Sequence, residues 1–485
     1  MSPTDAAIDT NVSRRMRSDW NRRARFDPRY YVALGRRNQS WEGFLRGAEE
    51  LVLGLERELP RISSQTAPAA RLALEIGCGP GRLMLPLSRN FHEIHGVDVS
   101  PRMVQLARQN LAVISRAHVH TADGISLGQF EDDSFDFVYS YAVFQHIPIR
   151  NVVFNYMKET RRVLRTGGVA RMQFNGLEEG ARQSDTWHGV RFKASEIAEF
   201  ARAHDLQLLA LEGAGTQYMW GTFAKRSAGW YRALHGGSSQ APRISIRKIT
   251  SASSPASVVP ARGPHAAFAL WVEGLPSDAD LNTLQVRVAE REARLTYIGA
   301  AQMDGLRQVT GILPDGLDAG FQRLHLTWAN TVCKGESFVR LIPPGPNPPR
   351  IVSVTDGVYL GEGRTISSNI VRVSLEGTAR REDLEVSVAG HVILPTGSVC
   401  TAPNIPHFEV DFKLPAGVPP GTNRLECRLG RRYLGSFEIM VTSDRFWWWR
   451  RLHPVELYQA AKRYLWARRA EPLRRNRANA SYIGS

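Results

Sequence analysis

Leu72-Ala73-Leu74-Glu75-Ile76-Gly77-Cys78-Gly79-Pro80-Gly81-Arg82 decides how the first half of this chain is read. A short apolar run with one acid leads into three glycines at alternate positions. The run predicts a buried strand over 72–76, and the next element begins at Leu83. Glycine at 77, 79 and 81 lets the backbone turn sharply beside a ligand, where a Cβ would collide or forbid the turn. Alone, this loop fits either a nucleotide-type cofactor or a simple tight turn.

The flanking sequence favours the cofactor. Glu93–Asp98 predicts a second strand ending in an acid, about 20 residues past the loop, the spacing of a βαβ unit. A carboxylate there can accept two hydrogen bonds from a ribose diol. Ser100 and Pro101 open a helix, as cap and first residue. Ala117–Thr121 predicts a third strand, closing in Ala122-Asp123-Gly124. Ser134–Ser140 gives a fourth, followed by Ala142–Ile147, and Leu164–Gly168 is a turn before a strand over Val169–Phe174. Alternating strands and helices predict a mostly parallel α/β sheet with ligands outside the carboxyl ends of its strands.

These motifs, in this order, resemble class I S-adenosylmethionine-dependent methyltransferases, nearest the small-molecule, type 11-like branch. They are Glu75–Gly81, Gly96–Pro101, Ala122–Gly124, Phe135–Val138, Gln145–Ile147 and Leu164–Gly168, and the resemblance covers about residues 14–225. It implies a Rossmann-like domain with a seven-stranded sheet and S-adenosyl-L-methionine as cofactor. A dinucleotide fold would favour Gly-x-Gly-x-x-Gly. By resemblance, Glu75 organises the loop and the amino-acid end of the cofactor, and Gly77, Cys78, Gly79 and Gly81 form the loop. Asp98 would hold the ribose hydroxyls, with Met103 packing near the adenine and Val99 also among the cofactor-binding residues. Asp123, flanked by Ala122 and Gly124, would accept from the adenine amino group, and Ser140 and Tyr141 would face the sulfonium and the acceptor. Thr166 stands where the family usually has proline, which weakens a turn signal only.

Several residues keep a second reading. Asp98 also suits a helix-capping acid, and Asp123 before glycine suits a plain turn. His146 reads as a general base or as the orienter of a turn. Cys78 reads as a small loop residue, not a nucleophile. Tyr31 and His188 join His146 as candidates for the acceptor pocket. Arginines and aromatics mix over Trp20–Val32, which reads as a lid or as a basic surface helix; Trp187-His188 and Arg191-Phe192 could form the opposite wall.

At 485 residues the chain exceeds one such domain. The reading is an N-terminal helical lid (1–60), the methyltransferase domain (61–235), two all-β immunoglobulin-like sandwiches (241–342 and 349–442) and a basic amphipathic C-terminal helix and tail (445–485). The two β segments repeat. Leu313-Pro-Asp-Gly316 and Gly320 match Leu414-Pro-Ala-Gly417 and Gly421, while Leu284–Val288 matches Leu384–Val388, at an offset near 100. The repeated phrase resembles IPT/TIG-type sandwiches. No catalytic constellation lies there, so binding, spacing or assembly is expected of them.

Charge sits at the ends. Residues 14–37 hold nine arginines against two acids and 445–485 ten Lys/Arg against two, which accounts for the net +15. The tail, opening Phe446-Trp-Trp-Trp449, suits a membrane surface, docking on the protein itself, or non-specific phosphate attraction. Signatures of DNA methylation are missing, so no specific nucleic acid is expected. Residues 1–12 lack the charged start and apolar core of a secretory signal, and no apolar run reaches membrane length, so neither a signal nor a span is expected. Four scattered cysteines imply no disulfide framework, although Cys400 and Cys427 share a repeat and could pair. A cytoplasmic enzyme, peripheral at the inner membrane face through its tail, acting on a small-molecule, glycan or lipid-linked acceptor, is the expectation. The alternative is a non-catalytic binding or scaffold protein that keeps a cofactor-binding methyltransferase fold.

Overall fold

The computed structural model describes residues 10–33, 39–177, 185–236 and 243–442, apart from short stretches at 264, 330, 333–334, 344–348, 359–363, 378–380 and 401–406. The tail over 445–485, the Gly/Ser-rich linker from 237 and the centre of the Pro-rich joint therefore lie outside the described residues.

Four helices lead in: α1 (Thr10–Phe26), α2 (Pro28–Ala33), α3 (Trp41–Arg46) and α4 (Glu49–Glu56). Then β1 (Leu72–Ile76), α5 (Met84–Leu87), β2 (Glu93–Asp98), α6 (Pro101–Asn110), β3 (Ala117–Thr121), β4 (Phe135–Ser140), α7 (Arg150–Val163), β5 (Leu164–Phe174), α8 (Ala194–Ala203), β6 (Leu206–Glu212), β7 (Met219–Lys225) and α9 (Trp230–Gly236) follow. The seven strands run in the order β3-β2-β1-β4-β5-β7-β6. Strands β1 to β5 pair in parallel, and β7 runs antiparallel to both neighbours. This is a Rossmann-like α/β sheet.

Local sequence explains the elements. Every residue of β4 is buried, as befits a central strand covered on both faces. Ser100 caps α6 by accepting the Met103 N–H at 3.2 Å, ahead of Pro101 at the first helical position. Helix α7 buries Val152, Val153, Tyr156, Met157, Thr160 and Val163 at three- and four-residue spacing. The expected turn at 164–168 lies inside β5, which already starts at Leu164. Phe135 faces Leu164 and Phe137 faces Val169, so residues 165–168 bulge out of register around Gly167 at φ +80°.

Two layers of strands between Ser245 and Ile342 enclose a core that includes Phe268, Leu270, Val286, Leu324, Leu326 and Val339. Strand Arg291–Ala301 belongs to this region, yet its Tyr297 pairs antiparallel with Ala210 of β6. The methyltransferase-like sheet thus continues into the first β region. Gln207 of β6 donates to the carbonyls of Ser277 and Ala279 at 2.7 and 2.8 Å, reinforcing the joint.

Most of the described residues from Ile351 onward form a second compact unit. Its five-stranded sheet orders Thr365–Ile366, Arg432–Val441, Gly421–Leu429, Leu384–Val388 and His391–Ile393. The repeat seen in sequence recurs as register. Val286 faces Leu326 and Val288 faces Leu324 in the first copy; Val386 faces Cys427 and Val388 faces Leu425 in the second. Cys427 is a buried free thiol, and the side chain of Cys400, its expected partner, lies outside the described residues. Among the described residues no helix is long and apolar enough to cross a membrane.

Candidate active site

Strand order reverses between β1 and β4, and the carboxyl ends of β1, β2 and β4 border one cleft. The glycine loop forms its floor. Gly77, Gly79 and Gly81 all have positive φ, +73°, +52° and +85°. A Cβ on Gly77 would lie 2.2 Å from Cγ2 of Val143, and one on Gly81 2.9 Å from Cδ1 of Leu111. Backbone conformation and close packing therefore both demand glycine here. The carbonyl of Val97 accepts the N–H groups of Gly77 and Cys78, locking the loop onto β2.

Glu75 lies beneath the loop. It is buried, accepts the Tyr139 hydroxyl at 3.0 Å, and burial holds its carboxyl well above the usual range, with the nearby Asp98 adding to the rise. Cys78 is also buried under the loop, and burial pushes its thiol far up, leaving it unreactive. Neither side chain lines the cleft.

Asp98 does line it. One carboxylate oxygen accepts the Gly79 N–H at 2.9 Å and the other the Ser100 N–H at 2.8 Å. Burial pushes this carboxyl up to about 6, against those two bonds. Val99, Met103, Ala122, Gly124 and Tyr156 form an apolar slot beside it. Asp123 points elsewhere. Its carboxylate, on an exposed residue, accepts the N–H groups of Ile125 and Ser126 and the Ser126 hydroxyl, all at 2.7 Å, which is the geometry of a turn.

The opposite end is aromatic. Met16 and Trp20 of α1 and Tyr31 and Val32 of α2 face Tyr141, Val143, His146 and Ile147. Tyr141 stacks on Trp220 with planes 4° apart, while Ser140 is buried and donates to the Ile76 carbonyl at 3.1 Å. Between Tyr141 and Val143, Ala142 adopts φ +55°, a conformation costing on the order of 1 kcal/mol or more for a residue with a Cβ. Its N–H is held by Oε1 of the fully buried Gln173 at 2.9 Å.

His146 is 7% exposed. Its Nδ1 lies 2.8 Å from the Trp187 carbonyl, so Nδ1 carries the proton and Nε2 keeps the lone pair. Burial lowers its pKa to about 4, and the imidazole is neutral at physiological pH. The rings of Trp20 and Trp187 flank it at 5.3 and 5.2 Å. His188 is directed away, with Nδ1 3.4 Å from Asp185, and does not line the cleft.

Helix α1 is fastened across the mouth. Asn21 accepts from the Ser100 hydroxyl at 2.7 Å, Ser13 donates to the Asp123 carbonyl, and Arg23 donates to the Thr186 carbonyl at 3.0 Å while lying over Trp20 and Trp187. The structure therefore brings together Gly77, Gly79, Asp98, Val99, Met103, Ala122, Gly124, Tyr141, Tyr31 and His146 around one cleft. Glu75, Cys78, Gly81 and Ser140 support it from beneath. Met16, Val143 and Tyr156 line it without a sequence signal, because single apolar residues look alike until the fold places them. Gln173, one polar residue within a strand, was equally silent.

The residues present fit S-adenosylmethionine. A half-buried carboxylate at the end of β2 is the acceptor a ribose diol needs, the adjoining slot is apolar, and aromatic rings gather where a sulfonium would gain from cation–π contact.

A methyltransferase-domain family model matches residues 74–172. A sterol 4-C-methyltransferase from Caenorhabditis elegans is 33% identical over 98 residues, 20% of this chain and 28% of that protein. Among solved structures, Haemonchus contortus phosphoethanolamine N-methyltransferase 1 is 15% identical, with 46% of this chain and 51% of that one covered and a TM-score of 0.35. A putative methyltransferase of Haloferax volcanii, solved with its Trm112 activator, is 18% identical, with 39% and 95% covered and a TM-score of 0.31. Residues 74–172 are an S-adenosylmethionine-dependent methyltransferase domain.

Proposed function

We propose that the whole chain is a methyltransferase that transfers the methyl group of S-adenosylmethionine to oxygen of a small-molecule, glycan or lipid-intermediate acceptor. The observation that carries this reading is one cleft with Asp98 and the glycine loop at one end and His146 at the other, its Nδ1 on the Trp187 carbonyl and its Nε2 3.4 Å from the Gln145 amide nitrogen. The cofactor, when bound, supplies an already activated electrophilic methyl group. What remains for the protein is alignment, exclusion of water and removal of a proton. Asp98 accepts the diol, and the slot of Val99, Met103 and Ala122 takes the base. Trp20 and Tyr31, carried by α1 and α2 as a lid, exclude water. His146 accepts the hydroxyl proton at Nε2 while its Nδ1–H stays on the Trp187 carbonyl, which fixes the tautomer.

The apolar and aromatic acceptor end favours a lipophilic acceptor within that range, and the sterol-methylating relative points the same way. The two β segments, read as immunoglobulin-like modules, serve binding or assembly. The first also supports the catalytic domain through the shared strand pairing. The basic tail is proposed as a peripheral membrane contact; co-sedimentation with anionic vesicles that survives deletion of 445–485 would reject it.

Calorimetric titration of S-adenosylmethionine and S-adenosylhomocysteine into the full chain tests the central reading. Micromolar binding, lost in Asp98→Ala, is expected. A folded wild type that binds neither would overturn it and leave the scaffold reading.

A further inference from the structure

Outside the cleft, the far side of β2 and the edge strand β3 hold four polar side chains on one sheet face. Strand β3 ends the sheet, and the two strands pair in parallel with His95 opposite His118 and Val97 opposite His120. Side chains two apart on a strand share a face, so Glu93 and His95 of β2 and His118 and His120 of β3 project together. Nε2 of His95 lies 3.2 Å from Oε2 of Glu93, and Nε2 of His118 lies 3.8 Å from the same oxygen. The three ligand atoms all fall within 4.8 Å of one another.

We propose that Glu93, His95 and His118 form a binding site for a transition-metal ion of the zinc class. Two ligands on one tetrahedral zinc, each about 2.0–2.1 Å from it, are about 3.4 Å apart. The two measured separations from Glu93 bracket that spacing, and small side-chain rotations close the third. Two imidazoles and a carboxylate are a donor set suited to such an ion and leave a coordination position open.

The surroundings support the assignment. Nδ1 of His95 is 3.4 Å from Nε2 of His120, so with His95 ligating through Nε2, its Nδ1–H faces the outer partner that metal-bound imidazoles usually have. Phe130 and Phe135 meet the His95 ring edge to face at 5.9 and 5.4 Å and fix its plane. Glu93 and His118 keep side-chain exposures of 38% and 41%, which leaves an entry path for the ion. The ligands stand on two hydrogen-bonded strands, so their spacing is set by the sheet.

An ion here clamps the edge strand to its neighbour. Three residues past His95 is Asp98, whose carbonyl accepts the N–H of Ala122 at 2.9 Å just past the end of β3. The clamp therefore stiffens the two strand ends that border the cleft, independently of which acceptor is methylated.

The test uses the full chain, stripped of metal with a chelator and titrated with Zn²⁺ by calorimetry, with Co²⁺ absorption as a second readout. Saturable binding of an ion with a low-coordinate Co²⁺ spectrum is expected. Glu93→Gln and His118→Ala, both at partly exposed positions, should each weaken it by more than about tenfold while circular dichroism stays that of the wild type. Added Zn²⁺ should raise Tm in the wild type and not in His118→Ala. A wild type that takes up no ion, or an affinity and Tm response unchanged in His118→Ala, would overturn the site.

Discussion

The carboxylate of Asp98 accepts the backbone N–H of Gly79 at 2.9 Å, tying the end of the second strand to the loop that closes the first. Its other oxygen holds the Ser100 N–H, so the residue that meets the ligand also braces the loop and the start of α6. In Asp98→Asn one oxygen becomes an NH₂ group, which cannot accept, and one of these two bonds is lost. We expect cofactor affinity to fall by about tenfold or more. Tm should change by only a few degrees, because relief of the buried charge offsets the missing bond. Calorimetry beside thermal melts checks both; unchanged affinity would remove Asp98 from the site.

The same carboxyl predicts a pH dependence. With its pKa raised to about 6, Asp98 gains protons as pH falls through that value, and cofactor affinity should weaken there by up to about tenfold per unit. Above about 7 affinity should be flat. Titrations at several pH values check this, with Asp98→Asn flat throughout.

His146 acts on stability in the opposite sense. Its folded pKa of about 4 lies below the ordinary 6.5, so the unfolded chain binds the proton first. Stability is full above about pH 6.5 and is lost as pH falls toward 4, by about 3 kcal/mol. Asp98, with a raised pKa, loses a similar amount as pH rises from 3.8 to about 6. The two slopes nearly cancel in the wild type. Denaturation of His146→Gln across pH 4–7 should expose the Asp98 slope, a decline with rising pH. In turnover, the same variant should lose about 10²-fold or more in kcat with cofactor Kd little changed.

Gly77→Ala should be severe. The new Cβ would sit 2.2 Å from Val143 at a φ of +73°. Strain and overpacking together should cost about 3 kcal/mol or more. Adding Val143→Ala should recover the packing part and leave the backbone part, which a double-mutant cycle in denaturant measures. Full recovery would show that φ imposes no cost.

The joint with the first β region should be sensitive at Glu58. This fully buried carboxylate lies 2.6 Å from Nε of Arg61 and 3.7 Å from Arg171, while Arg61 also donates to the Ile298 carbonyl and lies over the Tyr297 ring. Glu58→Gln leaves buried guanidinium groups short of a counter-charge, and about 3–5 kcal/mol should be lost. A smaller loss for Glu58→Gln than for Tyr297→Ala would place the joint's strength in the aromatic contact instead.

Linear order already determined the Rossmann-like half. The glycine loop, the acid ending β2 and the Ser100-Pro101 cap are local signals, because turn geometry and capping depend on residues a few positions apart. The spacing of the two β repeats was legible for the same reason. Only the tertiary structure decided which side chains meet. It turned Asp123 into its own turn, sent His188 away, set Gln173 behind Ala142, and started β5 at Leu164, before the expected turn. It also carried one sheet from β6 into the β region and gathered Glu93, His95 and His118 on one face. Such contacts join residues far apart in the chain, and they depend on strand order and burial, which no local pattern encodes.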